Sequence, residues 1–437
     1  RGRTVTKTQP LQGVRIVDLG WRLVAPLAAR TLAWGGAEVI HVESGSRHDG
    51  MRMSAPLIPG KEGMNVSHTF NNANTNKLSI TLNLSKPLAK DIVKRLVAIS
   101  DVVIENFPPG TLEKRGLSYE VLKVENPGLV MASVTGFGLS GPHCHFQGPN
   151  IVASAMGGVM HLSGEPGKAP LCEPEGASGH VASAFAAYGI LTALYHRDRT
   201  GRGQLIEISN QEMQASQQHN VVNYSSNFTI LERSGSRTPI GGGMPYGVYP
   251  TDDGYAHLVV ISPAHWRSFI QWMGNPEILS DSMWENRHIR NANADFIDSL
   301  VVEFTRQFSK NELFSQGQSR HITVAPINRP DEFIQDPHAE NREMFVDVQH
   351  PVIGTHKLLR SPLRMSETPT QIIRPSPTIG QHNDEILGML KSVTIGEAQT
   401  AHTRSKSYSS LPLHGIRVLD FSQAIAGPFL TRILAEN

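Results

Sequence analysis

The sequence predicts an α/β protein: a large domain whose helices cover a mostly parallel sheet, joined to a smaller α+β domain. Three observations carry this expectation. Short β-branched runs alternate with apolar-periodic stretches through the first two hundred residues, which is the signature of a sheet covered by helices. Residues 210–250 then turn polar and glycine-rich, which marks a change of domain. Strand and helix signals of a different spacing follow over about 225–350.

The elements follow in order. Val14–Leu19 is a β-branched run that reads as a buried strand, and Pro26 opens an apolar-periodic stretch, Leu27–Leu32, as proline does in a first helical turn. Ala37–Val42 reads as the next strand, so the unit is β-α-β and a right-handed crossover makes it parallel. Leu88–Ile99 reads as a helix, Asp101–Ile104 and Leu129–Val134 as strands, and Val181–Tyr195 as a helix ending in the arginine-rich turn 197–203. In the smaller domain a strand is predicted near Ala256–Ile261 and helices around Trp266–Met273 and Phe296–Phe308. The resulting division is 1–210 for the large domain, 225–350 for the small one and 351–395 for the return to the large one, with a helix at Ile386–Leu390. Residues 396–412, rich in Ser, Thr and small polar residues, have the makeup of a linker.

Composition narrows the function. Forty Lys and Arg face 39 Asp and Glu, for a net charge of +1, which leaves no long-range field to hold a polyanion, so no nucleic-acid partner is expected. Apolar stretches are interrupted before the roughly 18 residues of a membrane span, and Arg1–Pro10 lacks the apolar core of a secretory signal. Cys144 and Cys172 are the 2 cysteines, too few for a disulfide framework or structural zinc and in keeping with a reducing cytoplasm.

Several motifs have competing readings. Gly136-Phe-Gly-Leu-Ser-Gly141 matches a dinucleotide fingerprint after a strand, but Pro142 stands where a helix should open and no acidic residue closes a following strand, so a plain loop is favoured. His143-Cys144-His145 lacks the spacing of a metal site and reads as a polar surface loop, with no metal expected. Gly241-Gly242-Gly243 is a permissive segment that serves either as a flap over a ligand or as a turn between domains. Asn106-Phe107-Pro108-Pro109-Gly110 follows a buried strand, at the carboxyl end where open α/β sheets bind ligands. Lys114 and Arg115 lie close behind, either to meet phosphates or as solvated charge.

The chain also contains a repeat. Leu413-His-Gly-Ile-Arg-Val-Leu-Asp420 restates Leu11-Gln-Gly-Val-Arg-Ile-Val-Asp18, and the match runs without a gap through Pro428 against Pro26 and Leu434-Ala435 against Leu32-Ala33. Self-similarity at a domain's spacing means tandem duplication, so 413–437 is expected to be the start of a second homologous module.

These residues together resemble the class III CoA-transferase family, which includes formyl-CoA transferase, carnitine CoA-transferase and the α-methylacyl-CoA racemases. The resemblance rests on Leu11–Asp18, Gly36–Ile40 with Glu43, Asn76-Lys77 with Ser79, and Val103–Phe107 with Pro109-Gly110. It continues through Gly116-Leu117, Asn126-Pro127, Ser133–Gly141, Thr200–Gln204, the glycines at 241–243, Asp336-Pro337 and Gly380–Leu387. It implies a large Rossmann-like domain and a small domain, interlocked with a second module or another copy. The implied activity is exchange of CoA between an acyl-CoA and a small carboxylic acid, with coenzyme A as substrate and no tightly bound cofactor. An aspartate at the start of the helix around Val181–Tyr195 is implied as nucleophile, splitting the transfer into anhydride and thioester steps. A glycine loop then shields the intermediates from water.

The sequence departs from the family at that aspartate. Ungapped counting from either side places Gly179 there, with Glu175 and His180 as the nearby groups that a local shift would bring in. The family's Ala-Gly-Pro is Val24-Ala25-Pro26, and Leu23 stands at a glutamine position. Ser44 stands where some members carry a basic residue, with Arg47 the nearest substitute. The implied CoA surface is therefore Val24, Arg47, Asn106, Phe107 and Lys114, with Gly241, Gly242 and Gly243 as flap. The expectation is a catalytically silent first half resembling the fused two-module members, such as those that act on dimethylsulfoniopropionate with transferase and lyase activity. The alternatives are a competent transferase or racemase using Glu175 or His180, a non-enzymatic CoA-binding module, and, least favoured, a nicotinamide dehydrogenase.

Overall fold

The structure, a computed structural model, describes residues 9–174, 176–216, 224–226, 228–237, 243–393 and 411–437. The chain divides into two compact units, Arg1–Gly157 with Pro174–Gln218 and Glu343–Asn437, and Gly158–Glu173 with His219–Arg342.

The larger unit is built on strands β1 (Arg15–Asp18), β2 (Glu38–Glu43), β3 (Lys77–Thr81), β4 (Val102–Glu105), β5 (Val130–Thr135) and β6 (Leu205–Ser209). They form one parallel sheet in the order β3-β2-β1-β4-β5-β6. The chain steps outward from β1 to β3, then returns to β4 on the other side of β1. Loops leaving β1 and β4 therefore diverge at their carboxyl ends, and the crevice between them is the natural ligand position of such a sheet.

Side chains alternate across the sheet. Ile16, Val39, Ile104, Ala132 and Val134 face one core with helices α1 (Val24–Trp34) and α6 (Ala177–Thr200). Val17, Ile40, Ile80, Val103 and Met131 face the other, with α3 (Pro87–Ala98) and α4 (Tyr119–Glu125). Burial on both faces explains why β4 and β5 read as continuous apolar runs. The remaining helices of this half are α2 (His68–Ala73), α5 (Asn150–Met156) and α7 (Asn210–Ser216). Helix α6 is long and apolar enough to cross a membrane by length and composition, yet Ala182, Ala186, Ile190 and Ala193 on it are buried in the core with α1 residues. It is the core helix of the sheet's face.

The arginine-rich turn after α6 has a steric reason for its glycine. A Cβ on Gly203 would lie 2.0 Å from the Leu129 carbonyl oxygen, where the strand leading to β6 passes the start of β5. Backbone cannot yield as a side chain does. Gly203→Ala is expected to destabilise by about 3 kcal/mol, the upper end of overpacking costs, read as a lower urea midpoint with unchanged slope.

The smaller unit holds a three-stranded antiparallel sheet of Gly243–Pro250, Tyr255–Val260 and Thr323–Pro326. Helices Pro263–Trp272 and Ala294–Thr305 supply an aromatic core, with Trp272 and Phe304 edge to face at 5.0 Å. In the larger unit an antiparallel hairpin, Phe345–His350 with Gly354–Leu359, follows.

At the repeated segment a helix forms over Ala426–Ala435, but Arg417–Asp420, the counterpart of β1, is not a strand. The first copy is a strand because β2 and β4 flank it; the second has no neighbour to complete its ladder among the described residues. Leu419 and Phe421 consequently stand 80% and 85% exposed. The Tyr188 hydroxyl donates to the Ile433 carbonyl at 3.2 Å, and Arg199 Nη1 to the His414 carbonyl at 2.9 Å, which ties this segment to α6.

Candidate functional site

A buried charge cluster anchors the crevice. Lys77 Nζ, on β3, donates to Asp18 Oδ2 at 2.8 Å, to Asn74 Oδ1 at 2.8 Å and to the Pro26 carbonyl at 2.9 Å. His41 Nδ1, on β2, lies 3.0 Å from the same Asp18 oxygen, and all three charged or titratable side chains are fully enclosed. Burial alone would raise the Asp18 carboxyl; the Lys77 ammonium and His41 overcome it and bring it down to about 2. At the end of β2, Glu43 holds the enclosed Arg52 through Nε at 2.8 Å and Nη2 at 2.5 Å. Asp49 accepts the Arg22 backbone N–H at 3.0 and 2.9 Å, and its own N–H donates to Glu43 at 3.1 Å. The cluster thus pins the loop after β1 from both sides, with Asp18 Oδ1 accepting the Gly20 N–H at 2.9 Å.

What that loop presents is Trp21. Asn106 Oδ1 accepts the Trp21 N–H at 2.9 Å and Asn106 Nδ2 donates to the Trp21 carbonyl at 2.8 Å, so one side chain locks the β1 and β4 loops together. Phe107 meets the Trp21 ring edge to face at 5.9 Å, and the Arg47 guanidinium lies 5.8 Å from that ring. The structure therefore gathers Arg47, Asn106 and Phe107 around a residue that the sequence reading passed over. Trp21 stands at the carboxyl end of the first strand and carried no motif; its position directly after the buried β1 was the available signal. Val24 is buried in the first turn of α1. Lys114 is exposed in the turn Glu113–Arg115, and Ser44 is buried with its Oγ 3.0 Å from Ser46 Oγ.

Glu105 ends β4 beside this loop and is 5% exposed. It accepts the Phe107 N–H at 2.7 Å, and the Ser133 hydroxyl on β5 donates to its other oxygen. Burial pushes its carboxyl up to about 7, against the pull of these donors.

The first turn of α6 holds Gly179. A Cβ there would lie 2.5 Å from Asn150 Nδ2, 3.3 Å from Leu23 Cδ2 and 3.4 Å from Val24 Cγ2. An amide on α5 thus occupies the space beside the glycine, and Asn210 Nδ2 holds it by donating to Asn150 Oδ1 at 2.9 Å. Ser154, Ser178 and Gln214 on the same three helices each carry an enclosed polar atom without a partner among the described residues. The position beside Gly179 is thus bounded by one neutral amide and two apolar side chains. His180 is exposed, and its Nδ1 sits 2.7 Å from the Gly176 carbonyl on its own helix. Glu175 lies outside the described residues, as do Gly241 and Gly242. Gly243 is the buried first residue of a strand, where a Cβ would lie 2.6 Å from Arg290 Nη2; the sheet there takes up a residue expected in the loop.

The remaining motifs do not join this site. After Gly141 the chain makes turns through 142–145 and opens no helix, so the fingerprint loop offers no helix terminus to a pyrophosphate. His143 stacks on Phe146 at 4.8 Å. Among the described residues no group of three or more His, Cys, Asp or Glu is arranged to hold a metal ion.

Comparison with known proteins places the chain in a family. The model of CoA-transferase family III matches residues 11–383. The chain is 32% identical over 392 residues to a succinate–glutarate CoA-transferase of Agrobacterium fabrum, covering 88% of this chain and 96% of that protein. It is 30% identical over 398 residues to a succinyl-CoA–L-malate CoA-transferase alpha subunit of Chloroflexus aurantiacus, covering 90% and 92%. A crystal structure of a CaiB/BaiF family protein from Brucella suis matches with a TM-score of 0.79 at 30% identity, over 87% of this chain and 99% of that one. The six-stranded parallel sheet and the small antiparallel sheets agree with that solved structure, and this chain belongs to CoA-transferase family III.

Proposed function

We propose that the chain binds an acyl-CoA at the crevice between β1 and β4 and serves CoA exchange with a small carboxylic acid, while the attacking carboxylate comes from a second module or another copy. The observation that carries this reading is the Asn150 amide 2.5 Å from the Cβ position of Gly179. A neutral amide is no nucleophile, and acyl transfer through an anhydride needs a carboxylate held against the thioester carbon. Trp21 and Phe107, with Arg47 beside Trp21, offer two rings and a cation to the donor, while Asn106 fixes the Trp21 backbone. The relatives named above act on succinate, glutarate and malate, and one is named as a subunit, which supports a small carboxylate acceptor and a paired assembly. Dimethylsulfoniopropionate is the specific acceptor to test, beside glutarate.

Near-complete coverage of relatives named as transferases favours a second reading, a competent transferase or racemase using Glu175 or His180. One experiment separates the two. The chain alone, given succinyl-CoA with either acceptor, is expected to bind the thioester in calorimetry and to form no new acyl-CoA by mass spectrometry. Exchange abolished by Glu175→Gln or by His180→Ala would establish the second reading instead.

A further inference from the structure

Glu105 is a buried carboxyl at the carboxyl end of a central strand, and among the described residues no cation is near enough to offset its charge. The one charge acting on it is Glu113, of the same sign, on the turn that follows the loop. Tyr119, from α4, faces the same small cavity of about 30 Å³, which Pro108, Pro109, Glu113 and Ser133 also line. A buried unpaired charge is costly; a glutamine of the same shape would avoid that cost, but its amide oxygen is a weaker acceptor for the Phe107 N–H than a carboxylate. Such a cost persists where the ionised form has a task.

The geometry shows what that task is. The carboxylate accepts two donors, from Ser133 on β5 and from the Phe107 backbone in the loop. Between its strand end and Phe107 lies Asn106, whose amide holds the Trp21 backbone at both N–H and carbonyl. Resting on the reading that the crevice binds acyl-CoA, we propose that ionised Glu105 is the positioning residue of the donor site: its carboxylate fixes the 105–107 turn, and through Asn106 and Phe107 sets Trp21 against the ligand. Neutral, the carboxyl carries a proton on one oxygen. If the proton faces Phe107 it meets another donor; if it faces Ser133, the oxygen left for Phe107 is a weaker acceptor than a carboxylate.

The consequence is a pH dependence of binding with a worked sign. The carboxyl titrates near 7, so the competent form grows from about a tenth at pH 6 to about nine tenths at pH 8, and apparent affinity, which scales with the competent fraction, rises about tenfold. Stability runs the opposite way. An acid whose folded value is raised stabilises the fold below its ordinary range and loses that contribution as pH climbs through about 7.

The test is calorimetric titration of the full chain with coenzyme A between pH 6 and 8.5, for the natural protein, Glu105→Gln and Ser133→Ala. Glu105→Gln is expected to bind more weakly than the natural protein at every pH tested, by more than tenfold at pH 8, to show no rise between pH 6 and 8, and to melt higher than the natural protein at pH 8 while matching it at pH 5. Ser133→Ala keeps the carboxylate and loses one donor, so its binding midpoint is expected at higher pH with a similar plateau. Ionisation of coenzyme A itself is common to all three and cancels in the comparison. If the natural protein and Glu105→Gln share one pH profile, Glu105 only packs and the inference is overturned. If the natural protein binds no coenzyme A at any pH, the reading of the crevice falls and takes the inference with it.

Discussion

Lys77→Met is expected to cost the fold about 3–5 kcal/mol, because removing one partner of a fully enclosed ion pair leaves the other charge unpaired. Lys77 meets an aspartate, an asparagine and a carbonyl at 2.8–2.9 Å, and methionine replaces none of these bonds. A urea titration checks the loss as a lower midpoint. Asp18→Asn should cost a similar amount, and Asp18→Asn with Lys77→Met less than the sum, since the double variant contains no unpaired charge at this pair. The pH dependence has a definite sign. With the Asp18 carboxyl brought down to about 2, its contribution is present above about pH 4 and disappears as pH falls toward 2, a change of about 2 kcal/mol at 1.36 kcal/mol per unit. That acid-sensitive part should be absent from Asp18→Asn. The effect reaches function because Asp18 also accepts the Gly20 N–H, so the variants loosen the loop that carries Trp21. Coenzyme A binding should weaken in both single variants before the fold is lost.

The parallel sheet was legible because β1, β2, β4 and β5 are enclosed on both faces and so are mostly apolar and β-branched, with Asp18, His41, Glu43, Glu105 and Ser133 as buried polar exceptions. Strands β3 and β6 escaped for opposite reasons. β3 carries Lys77 and Ser79 into the interior, where partners from other elements satisfy them, and nothing local announces those partners. β6 is an edge strand with Leu205 and Glu207 outward, which leaves too short an apolar pattern to stand out. The family resemblance located Asn106 and Phe107 because a β-strand followed by that loop is a local feature. Trp21 and Glu105 are held by bonds to residues far along the chain, 85 positions for Trp21 with Asn106 and 28 for Glu105 with Ser133. Their contacts became visible only when β1, β4 and β5 lay side by side. The repeat at 413–420 shows the converse: a segment similar to β1 is no strand without its neighbours, since a ladder is a property of the pair.

Gly179→Asp tests the proposed division of labour most directly, and its expected outcome is a change from no chemistry to measurable thioester cleavage. The single substitution meets the Asn150 amide at 2.5 Å, and Asn210 tethers that amide, so crowding is expected to cost about 1–3 kcal/mol. Gly179→Asp with Asn150→Ser removes the obstructing amide and should recover most of the loss. The site otherwise suits an anion: it lies in the first turn of a 24-residue helix, whose N-terminus favours negative charge by about 0.3–1 kcal/mol. With acyl-CoA bound, the installed carboxylate oxygen attacks the thioester carbon, the C–O bond of an anhydride forms, the C–S bond breaks and coenzyme A leaves as the thiolate. A burst of free thiol, up to one per chain, measures that step, and hydroxylamine converts the acylated side chain at position 179 to a product that mass spectrometry locates. Gly179→Asn with Asn150→Ser, of equal volume but without a nucleophile, should release no thiol. A burst of the same size from the natural chain would mean that an attacking group already stands in this module, and that the amide beside Gly179 is no plug at all.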